Sequence, residues 1–247
     1  MLSKAQVKYI QSFAHKKFRD EERAFVAEGP KVVGEYLQER PGDLLALYAL
    51  PTWIDEHTEV MVGLSRRVHV VEPSDLDRIS FLTTPNTVLA VIRKPEQPSS
   101  PDLSAPCTLV LDDIQDPGNL GTIIRTADWF GVRTIICSAS TADAWNPKVV
   151  QSTMGSLMRV QVWYTDLVDL INAHADIPLW AAALEGRQVD KLEKPPHILL
   201  LIGNESKGIR PSLLDRAQER LTIPKVGKAE SLNASVATGI LLSQLAV

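Results

Sequence analysis

The second half of the chain alternates short, nearly continuous apolar runs with longer stretches of helical character. Five runs predict buried strands, at residues 108–112, 134–137, 179–183, 198–202 and 220–223. Strands that are apolar at consecutive positions are covered on both faces, which is typical of a parallel sheet flanked by helices. The pattern therefore predicts an α/β domain built on a parallel sheet.

The first half has the same alternation on a smaller scale. Apolar runs that predict strands alternate with patterns that predict helices, so we expect a small α/β domain there. The predicted strands are 23–30, 44–50, 68–71 and 88–92, and the predicted helices are 6–23, 31–38 and one starting at Pro73 and Ser74.

A composition break separates the two halves. Residues 93–106 contain four prolines and three serines in fourteen positions. Such a segment can neither continue a helix nor fill a sheet, which is typical of a linker. We therefore predict a first domain at 1–94, a linker at 95–106 and a second domain at 107–247.

Charge and cysteine content limit the possible functions. The formal net charge of the 247 residues is −4, so the protein is not one that holds polyanions by overall charge, and any contact with nucleic acid must be local. The two cysteines, Cys107 and Cys137, are not in a C-x-x-C pair and the five histidines are scattered, so we expect neither a disulfide framework nor a metal site. There is no apolar signal core and no apolar run long enough for a membrane span, so we expect a cytoplasmic protein with no membrane partner.

The carboxyl ends of the predicted strands carry the candidate chemistry. The run at 198–202 leads into glycine and small polar residues at 203–208, and the run at 220–223 leads into Pro224 and then Ser231-Leu-Asn-Ala-Ser235. Strand ends in α/β proteins present free backbone groups at fixed positions, and ligands bind there.

The run at 108–112 leads into a glycine-containing turn and a helix that carries Arg125. We predict Arg125 on the first turns of this helix, where a cation opposes the helix dipole and an anion such as phosphate would relieve the conflict. The glycines, Gly118 and Gly121, fit neither the G-x-G-x-x-G fingerprint nor a P-loop. An ordinary turn remains the alternative.

Taken together, the segments resemble the SpoU or TrmH-type family of RNA 2′-O-ribose methyltransferases, within the SPOUT class. The resemblance rests on three motifs in order, with a further similar stretch at 148–160. The motifs are Asp116-Pro-Gly-Asn-Leu-Gly-Thr-Ile-Ile-Arg-Thr-Ala127, Leu201-Ile-Gly-Asn-Glu-Ser-Lys-Gly-Ile209 and Ile223-Pro-Lys-Val-Gly-Lys-Ala-Glu-Ser-Leu-Asn-Ala-Ser235. The first domain more loosely resembles the ribosomal-protein-like substrate-binding domain that often precedes this catalytic domain.

The resemblance implies S-adenosylmethionine as cofactor, a deep trefoil knot around it, and a homodimer. The cofactor-binding residues that it implies are Leu201, Gly203, Asn204, Ile223, Pro224, Ser231 and Leu232. The catalytic group that it implies is Arg125, Ser231 and Asn233, supported by Asn119 and Glu205. The family's role for Arg125 is that of a base, but a guanidinium with a pKa above about 12 gives up its proton reluctantly, so we favour a clamp on an RNA phosphate.

Several of these residues have a structural alternative. Ile223 and Leu232 would be buried in almost any fold of this class, and Ser231 or Asn233 would suit the N-cap of the helix that follows. For Glu205, a solvated charge is as good an expectation as a contact that holds the first-motif asparagine or arginine.

Two further expectations concern surfaces. The first helix mixes basic and acidic residues with Tyr9 and Phe13, which is usually a solvated face but would also suit RNA through stacking. The last helix is apolar almost throughout, with Ile240, Leu241 and Leu242 among its residues, so it would expose an apolar face unless a second copy covered it.

The function that we predict is 2′-O-methylation of a ribose in structured RNA, with ribosomal RNA favoured over transfer RNA. A catalytically silent RNA-binding or ribosome-assembly factor of the same fold is the alternative, and the presence of all five implied catalytic residues argues against it. A dinucleotide-dependent dehydrogenase is excluded by the missing glycine fingerprint and its missing downstream acidic residue.

Overall fold

A computed structural model describes residues 1–61 and 63–245. They form two compact units, each with its own sheet. The first unit contains 1–96 together with 143–155, and the second contains 97–142 together with the chain from Ser156 onward. The prediction of an α/β fold with a small α/β region before a parallel sheet is confirmed.

Helices and strands alternate in both units. The strands are β1 (Ala24–Glu28), β2 (Leu44–Ala49), β3 (Val68–Val70), β4 (Val88–Arg93), β5 (Cys107–Leu111), β6 (Thr134–Cys137), β7 (Gln161–Tyr164), β8 (Leu179–Arg187), β9 (Ile198–Ile202) and β10 (Glu219–Leu221). The α-helices are α1 (Lys4–Ser12), α2 (Lys16–Glu21), α3 (Pro30–Glu39), α4 (Pro51–Glu56), α5 (Pro73–Ile79), α6 (Pro117–Trp129), α7 (Pro147–Thr153), α8 (Leu167–Ala173), α9 (Pro211–Leu214) and α10 (Ala234–Leu245). Short 3₁₀ turns lie at Pro41–Asp43, Thr58–Met61, Ser65–Arg67, Ser156–Met158 and Val189–Lys191.

The sheet of the first unit has the order β1-β4-β2-β3. Strand β4 is antiparallel to both of its neighbours, whereas β2 and β3 are parallel. Helix α7 packs against β1 in this unit, although it lies far from it along the chain.

The single helix predicted at 6–23 is wrong, because the chain breaks between α1 and α2. Arg19 is only 1% exposed, and its guanidinium donates hydrogen bonds to the carbonyl oxygens of Phe13 (2.6 Å) and Ala14 (2.9 Å). These carbonyls are ones that a helix end leaves without an intrahelical partner. The same guanidinium forms an ion pair with Asp143 at 2.5 Å, so the break is fixed by buried polar contacts that periodicity does not reveal.

The sheet of the second unit is parallel throughout, with the order β10-β8-β9-β5-β6-β7. Its central strands β5 and β9 are buried along their whole length, as their continuous apolar sequences predict. Strand β7 was not predicted, because it is a four-residue edge strand with an exposed first residue. Helix α10 packs against α6.

Parallel strands bring their carboxyl ends to one edge of the sheet. The segments that follow β5, β9, β8 and β10 therefore meet there, and they include the three sequence motifs. This edge is the place where ligands bind in sheets of this kind.

Neither the two cysteines nor the candidate metal ligands form a reactive cluster within the described residues. Cys107 and Cys137 are free and buried, and burial raises the pKa of Cys107 to about 12 and that of Cys137 still further, so neither is a reactive thiolate. Within 1–61 and 63–245 there is no cluster of three or more His, Cys, Asp or Glu side chains suited to a metal ion. In the same ranges, no helix has both the length and the apolar character to cross a membrane.

Candidate active site

One chain of side-chain hydrogen bonds joins all three motifs. The Nδ2 of Asn233 donates to the Oδ1 of Asn119 at 2.9 Å, and the Nδ2 of Asn119 donates to the Oε1 of Glu205 at 2.5 Å. An ionised carboxylate only accepts, so Glu205 fixes which end of the Asn119 amide is the donor. We call these three residues the relay.

Asn119 owes its position to the start of α6. The carboxylate of Asp116 is the N-cap and accepts the backbone N–H of Asn119 at 2.8 Å, while Pro117 takes the first helical position. Residue 118 must be small, since a Cβ on Gly118 would lie 2.9 Å from the capping oxygen of Asp116. The turn of the first motif therefore presents the Asn119 side chain at a defined place.

Asn233 has two tasks. Its Oδ1 accepts the backbone N–H of Ser235 at 2.9 Å and the hydroxyl of Ser235 at 2.6 Å, which caps the start of α10. The expected capping role is confirmed, and the remaining amide end takes part in the relay. Ser231 is exposed and its side chain has no hydrogen-bond partner within 1–61 and 63–245.

Glu205 lies on a loop with its own internal hydrogen bonds. Asn204 and Gly208 form a two-bond bridge, at 3.1 and 2.9 Å, and the side chain of Asn204 accepts the backbone N–H of Ser206. Gly203 is required for this closure, because a Cβ there would lie 2.5 Å from backbone atoms of Gly208 and its neighbour. We call residues 203–208 the closed loop.

Two contacts that the sequence analysis missed tie the closed loop, and Arg210 just after it, to the end of β5. The Nδ2 of Asn204 donates to the carbonyl oxygen of Asp113 at 2.8 Å. The fully buried carboxylate of Asp112 accepts the backbone N–H of Arg210 at 2.9 Å and its Nε at 2.7 Å. The one signal for this in the sequence is a pair of acidic residues directly after a buried strand. The predicted cofactor residue Asn204 thus holds the loop with its side chain.

The third motif contrasts with this loop. Residues 223–233 have no backbone-to-backbone hydrogen bond within the described ranges, apart from the Asn233 carbonyl that accepts from Ala237 in α10. Ile223 is half-buried and Leu232 is 45% exposed, so the alternative that both are core residues is wrong. Pro224 is exposed. We call residues 223–233 the open segment.

Another apolar side chain at this edge was missed. Leu184, near the end of β8, is 71% exposed, and its carbonyl oxygen accepts the hydroxyl of Thr222 at 2.8 Å, directly before the open segment. Leu184 directly follows the apolar run at 179–183, and its residue type alone does not distinguish it from the core residues of that run. By contrast, the side chain of Leu201 is fully buried in β9, so this predicted cofactor residue is not brought to the surface.

Arg125 is the ninth residue of α6 and not on its first turns, so that prediction is wrong. At a rise of about 1.5 Å per residue it lies roughly 12 Å from the helix start, where the dipole no longer opposes a cation. Its side chain is exposed and has neither hydrogen bond nor ion pair within 1–61 and 63–245. Arg125 is thus an available cation in the first motif.

Of the two aromatic residues expected on an RNA-stacking face of the first unit, only Tyr9 is exposed. Phe13 is fully buried. The Tyr9 ring packs edge-on against Phe13 and Phe18, and its hydroxyl donates to Glu22 at 3.0 Å. Burial, followed by the contact with Glu22, raises the pKa of Tyr9 to about 12. Phe13 is therefore unavailable for stacking, whereas Tyr9 stays 38% exposed beside its edge contacts, so the RNA-stacking face stays a prediction that rests on Tyr9 alone.

Two family models match this chain. The family model described as the SpoU rRNA Methylase family matches residues 106–243, and the MRM3-like substrate binding domain matches residues 4–90. The 23S rRNA (guanosine(2553)-2′-O)-methyltransferase RlmP of Bacillus subtilis is 32% identical over 97% of this chain and 95% of its own length.

Two solved structures are similar over nearly the whole chain. A protein of the TrmH family of RNA methyltransferases from Porphyromonas gingivalis is 38% identical, with a TM-score of 0.85 over 99% of this chain and 98% of its own. The AdoMet-bound rRNA methyltransferase from Sinorhizobium meliloti is 31% identical, with a TM-score of 0.86 over 99% of this chain and 95% of its own.

Proposed function

Because the chain belongs to the SpoU rRNA methylase family, we propose that it transfers a methyl group from S-adenosylmethionine to the 2′-hydroxyl of a ribose in ribosomal RNA. The observation that carries this proposal is the relay, since it joins the three family motifs through Asn233, Asn119 and Glu205. The similar RlmP acts on 23S rRNA by its name, so ribosomal RNA is the substrate class favoured over transfer RNA. A cytoplasmic location is part of the proposal, and the bacterial origin of RlmP supports it.

The residues at the sheet edge suit S-adenosylmethionine. An adenine needs a flat apolar slot and a few backbone hydrogen bonds. Leu184, Ile223 and Leu232 supply apolar side chains that the core does not bury. The open segment supplies backbone donors and acceptors that have no protein partner within the described ranges, and unpaired backbone groups at a binding site favour a polar ligand.

The proposed cofactor contacts follow from these properties. Leu184, Ile223 and Leu232 would hold the adenine, and backbone groups of Pro224 and Gly203 would supply hydrogen bonds to it. Asn204 acts indirectly by keeping the closed loop in place. Bound S-adenosylmethionine supplies a methyl group on a sulfonium centre, which is the electrophile of the reaction.

The relay and its neighbours align the ribose. In-line transfer requires an oriented hydroxyl and a route for its proton. Asn233, oriented through Asn119 by Glu205, and Ser231 present polar groups at the exposed edge, and these suit hydrogen bonds to a ribose or to the amino acid end of the cofactor. The unpaired guanidinium of Arg125 binds the phosphate next to the target ribose.

The domain assignment follows from the same family membership. We propose that residues 1–94 bind the RNA substrate, that 95–106 form the linker and that 107–247 are the methyltransferase domain, whose segment 143–155 belongs to the first compact unit. The match of a substrate-binding domain model to residues 4–90 supports the first of these assignments.

A homodimer and a knotted C-terminal region also form part of the proposal. The expected apolar face of α10 is largely used within the unit, since Leu241 and Leu242 are buried and α10 packs on α6. Two other apolar side chains support a dimer surface, Trp129 at 84% and Val236 at 49% exposure. The knot is proposed from the family membership alone.

The dimer has a direct test. Sedimentation of the wild type should give twice the mass of the chain, and Val236→Asp with Trp129→Glu should give monomers, because both place charges on the apolar surface. A monomeric wild type would contradict this part of the proposal.

Calorimetric binding of S-adenosylmethionine, followed by tritiated methyl transfer to unmodified ribosomal RNA, tests the function itself. We expect saturable binding and a methyl group on a ribose oxygen. A well-folded protein that binds no S-adenosylmethionine would be the silent RNA-binding factor instead, and transfer to tRNA alone would make it a tRNA enzyme.

A further inference from the structure

The first unit contains a cavity of its own, of about 180 Å³. Its floor is β1, with Val26 and Glu28 on the same face of the strand, as residues two apart must be. Helix α7 forms one wall, and Phe81 and Leu82, after α5, form the other. Because sites for drug-sized ligands start at about 300 Å³, this cavity suits one flat ring system rather than a whole nucleotide.

The floor of the cavity carries a buried carboxylate. Glu28 is 5% exposed, and its Oε2 and Oε1 accept the Ser80 hydroxyl at 2.6 Å and the Phe81 backbone N–H at 2.7 Å. A carboxylate has about four acceptor sites, so two remain. No cation pairs with Glu28 within 1–61 and 63–245, although burying an unpaired charge is costly.

Burial is the main cause that raises the pKa of Glu28, and the hydrogen bonds from Ser80 and Phe81 lower it in part. The carboxylate is therefore only partly compensated within the protein. A ligand that donated N–H groups to it would supply the missing compensation.

The wall and rim add an aromatic ring, an amide and a cation. Phe81 is half-buried and lines the cavity, so part of its ring is accessible to a ligand there. Gln151 and Lys148 lie one turn apart on the α7 wall, and neither side chain has a hydrogen bond or ion pair within the part of the chain that the structure describes. These are the groups that bind an extruded RNA base together with its phosphate.

We propose that this cavity holds one unpaired guanine of the RNA substrate, with Glu28 accepting its N1–H and N2–H groups. Guanine is the base whose Watson–Crick edge presents two adjacent N–H donors, whereas adenine and cytosine present one amino group beside an acceptor. Phe81 stacks on the ring, and Lys148 binds the phosphate. The inference rests on the proposed function for the presence of RNA, and it adds a specificity-determining site to it.

The test compares nucleotide monophosphates on the full-length protein. Binding of GMP and AMP is followed by NMR titration, with saturating S-adenosylhomocysteine present so that neither nucleotide enters the cofactor slot. Two charge-assisted hydrogen bonds should favour GMP over AMP by about tenfold or more. Glu28→Gln should abolish that preference, whereas the matched control Glu56→Gln, on an exposed position of α4, should keep it.

A second variant tests the site even if the Glu28→Gln protein does not fold. Lys148→Gln changes an exposed side chain and should lower the affinity for GMP several-fold. The affinity for guanosine, which has no phosphate, should stay unchanged. Lys31→Gln, on the exposed face of α3, is its control. Equal affinities for GMP and AMP in the wild type, or a guanine preference that survives Glu28→Gln, would overturn the inference.

The two proposals fail in distinguishable ways. Wild type that binds S-adenosylmethionine and methylates ribosomal RNA, but shows no preference for GMP, overturns the guanine site alone. Wild type that fails to bind S-adenosylmethionine overturns the methyltransferase proposal, and the GMP comparison can then be repeated without any competitor.

Discussion

The closed loop and the open segment lie at the same sheet edge, yet they prepare for a ligand in opposite ways. The closed loop bonds to itself through Asn204 and Gly208 and is tied to the end of β5 by the contact of Asn204 with Asp113. The open segment leaves its backbone groups and Leu232 to solvent. The first is therefore ordered before any ligand arrives, whereas the second gains partners only on binding, and that ordering lowers the net affinity.

The largest effect should come from the open segment. Leu232→Arg would put an unpaired charge into the apolar slot. It should lower the affinity for S-adenosylmethionine, measured by calorimetry, by about 100-fold or more. Val226→Arg is the matched control, because Val226 is fully exposed in the same segment. Equal losses in both variants would show that charge anywhere in the segment matters, and not the slot.

A pair of glycine substitutions compares the two regions directly. Gly203→Ala should destabilise the protein by about 1–3 kcal/mol, because its Cβ would overlap backbone atoms of the closed loop. It should also lower the affinity for S-adenosylmethionine by about tenfold. Gly227→Ala, where a Cβ meets no atom within 4 Å, should change the unfolding free energy by less than about 0.5 kcal/mol. Denaturant unfolding measures the stability of both variants. A Gly203→Ala protein as stable as the wild type would show that the closed loop is not closely packed at this position.

Asn233, the last residue of the open segment, caps α10 and donates to Asn119, and Asn233→Asp separates these two roles. Aspartate caps a helix as well as asparagine does, so stability should stay within about 0.5 kcal/mol. The donor to Asn119 is lost, so methyl transfer should slow by about tenfold. Asp166→Asn, the reverse exchange at the cap of α8, should affect neither property. An unchanged transfer rate for Asn233→Asp would mean that the relay is structural only.

Ser231→Ala should have the smallest effect. Its hydroxyl has no partner within 1–61 and 63–245, so the unfolding midpoint should not move. One neutral hydrogen bond to the ribose or cofactor would change the transfer rate by about two- to tenfold. Ser243→Ala, on the exposed side of α10, is the control, and identical rates for all three proteins would exclude Ser231 from the site.

The sequence predicted those parts of the fold in which one local signal dominates. Strands β6 and β9 have the predicted bounds, since a continuous apolar run leaves no alternative in a sheet covered on both faces. Strand β7 is as short as β6, but it lies at the sheet edge and only one of its four residues is buried, so it does not form a run that is apolar throughout. The break between α1 and α2 depends on Arg19 and Asp143, which are 124 residues apart, so no local pattern contains it.

The candidate site divides in the same way. The three motifs were enough to predict Asn119, Glu205 and Asn233 as site residues. Their hydrogen bonds join residues 86 and 114 positions apart, so only the folded structure reveals them. Leu184 was missed because its exposure depends on the pairing of β10, which is irregular between Arg220 and Leu221. Arg125 was placed too near the helix start because the turn after β5 is shorter than the glycines suggested.

The ion pair between Arg19 and Asp143 has a consequence for the order in which the protein matures on the ribosome. When residue 94 has been synthesised, the first unit still lacks the segment 143–155, including Trp145, whose ring packs 4.8 Å from that of Phe25. At about 5–20 residues per second, the interval before Asp143 is added is roughly 3–10 s. During that time the nascent unit has an uncompensated guanidinium and an uncovered aromatic ring. Its completion must therefore wait for sequence that belongs, by chain order, to the enzyme's second half.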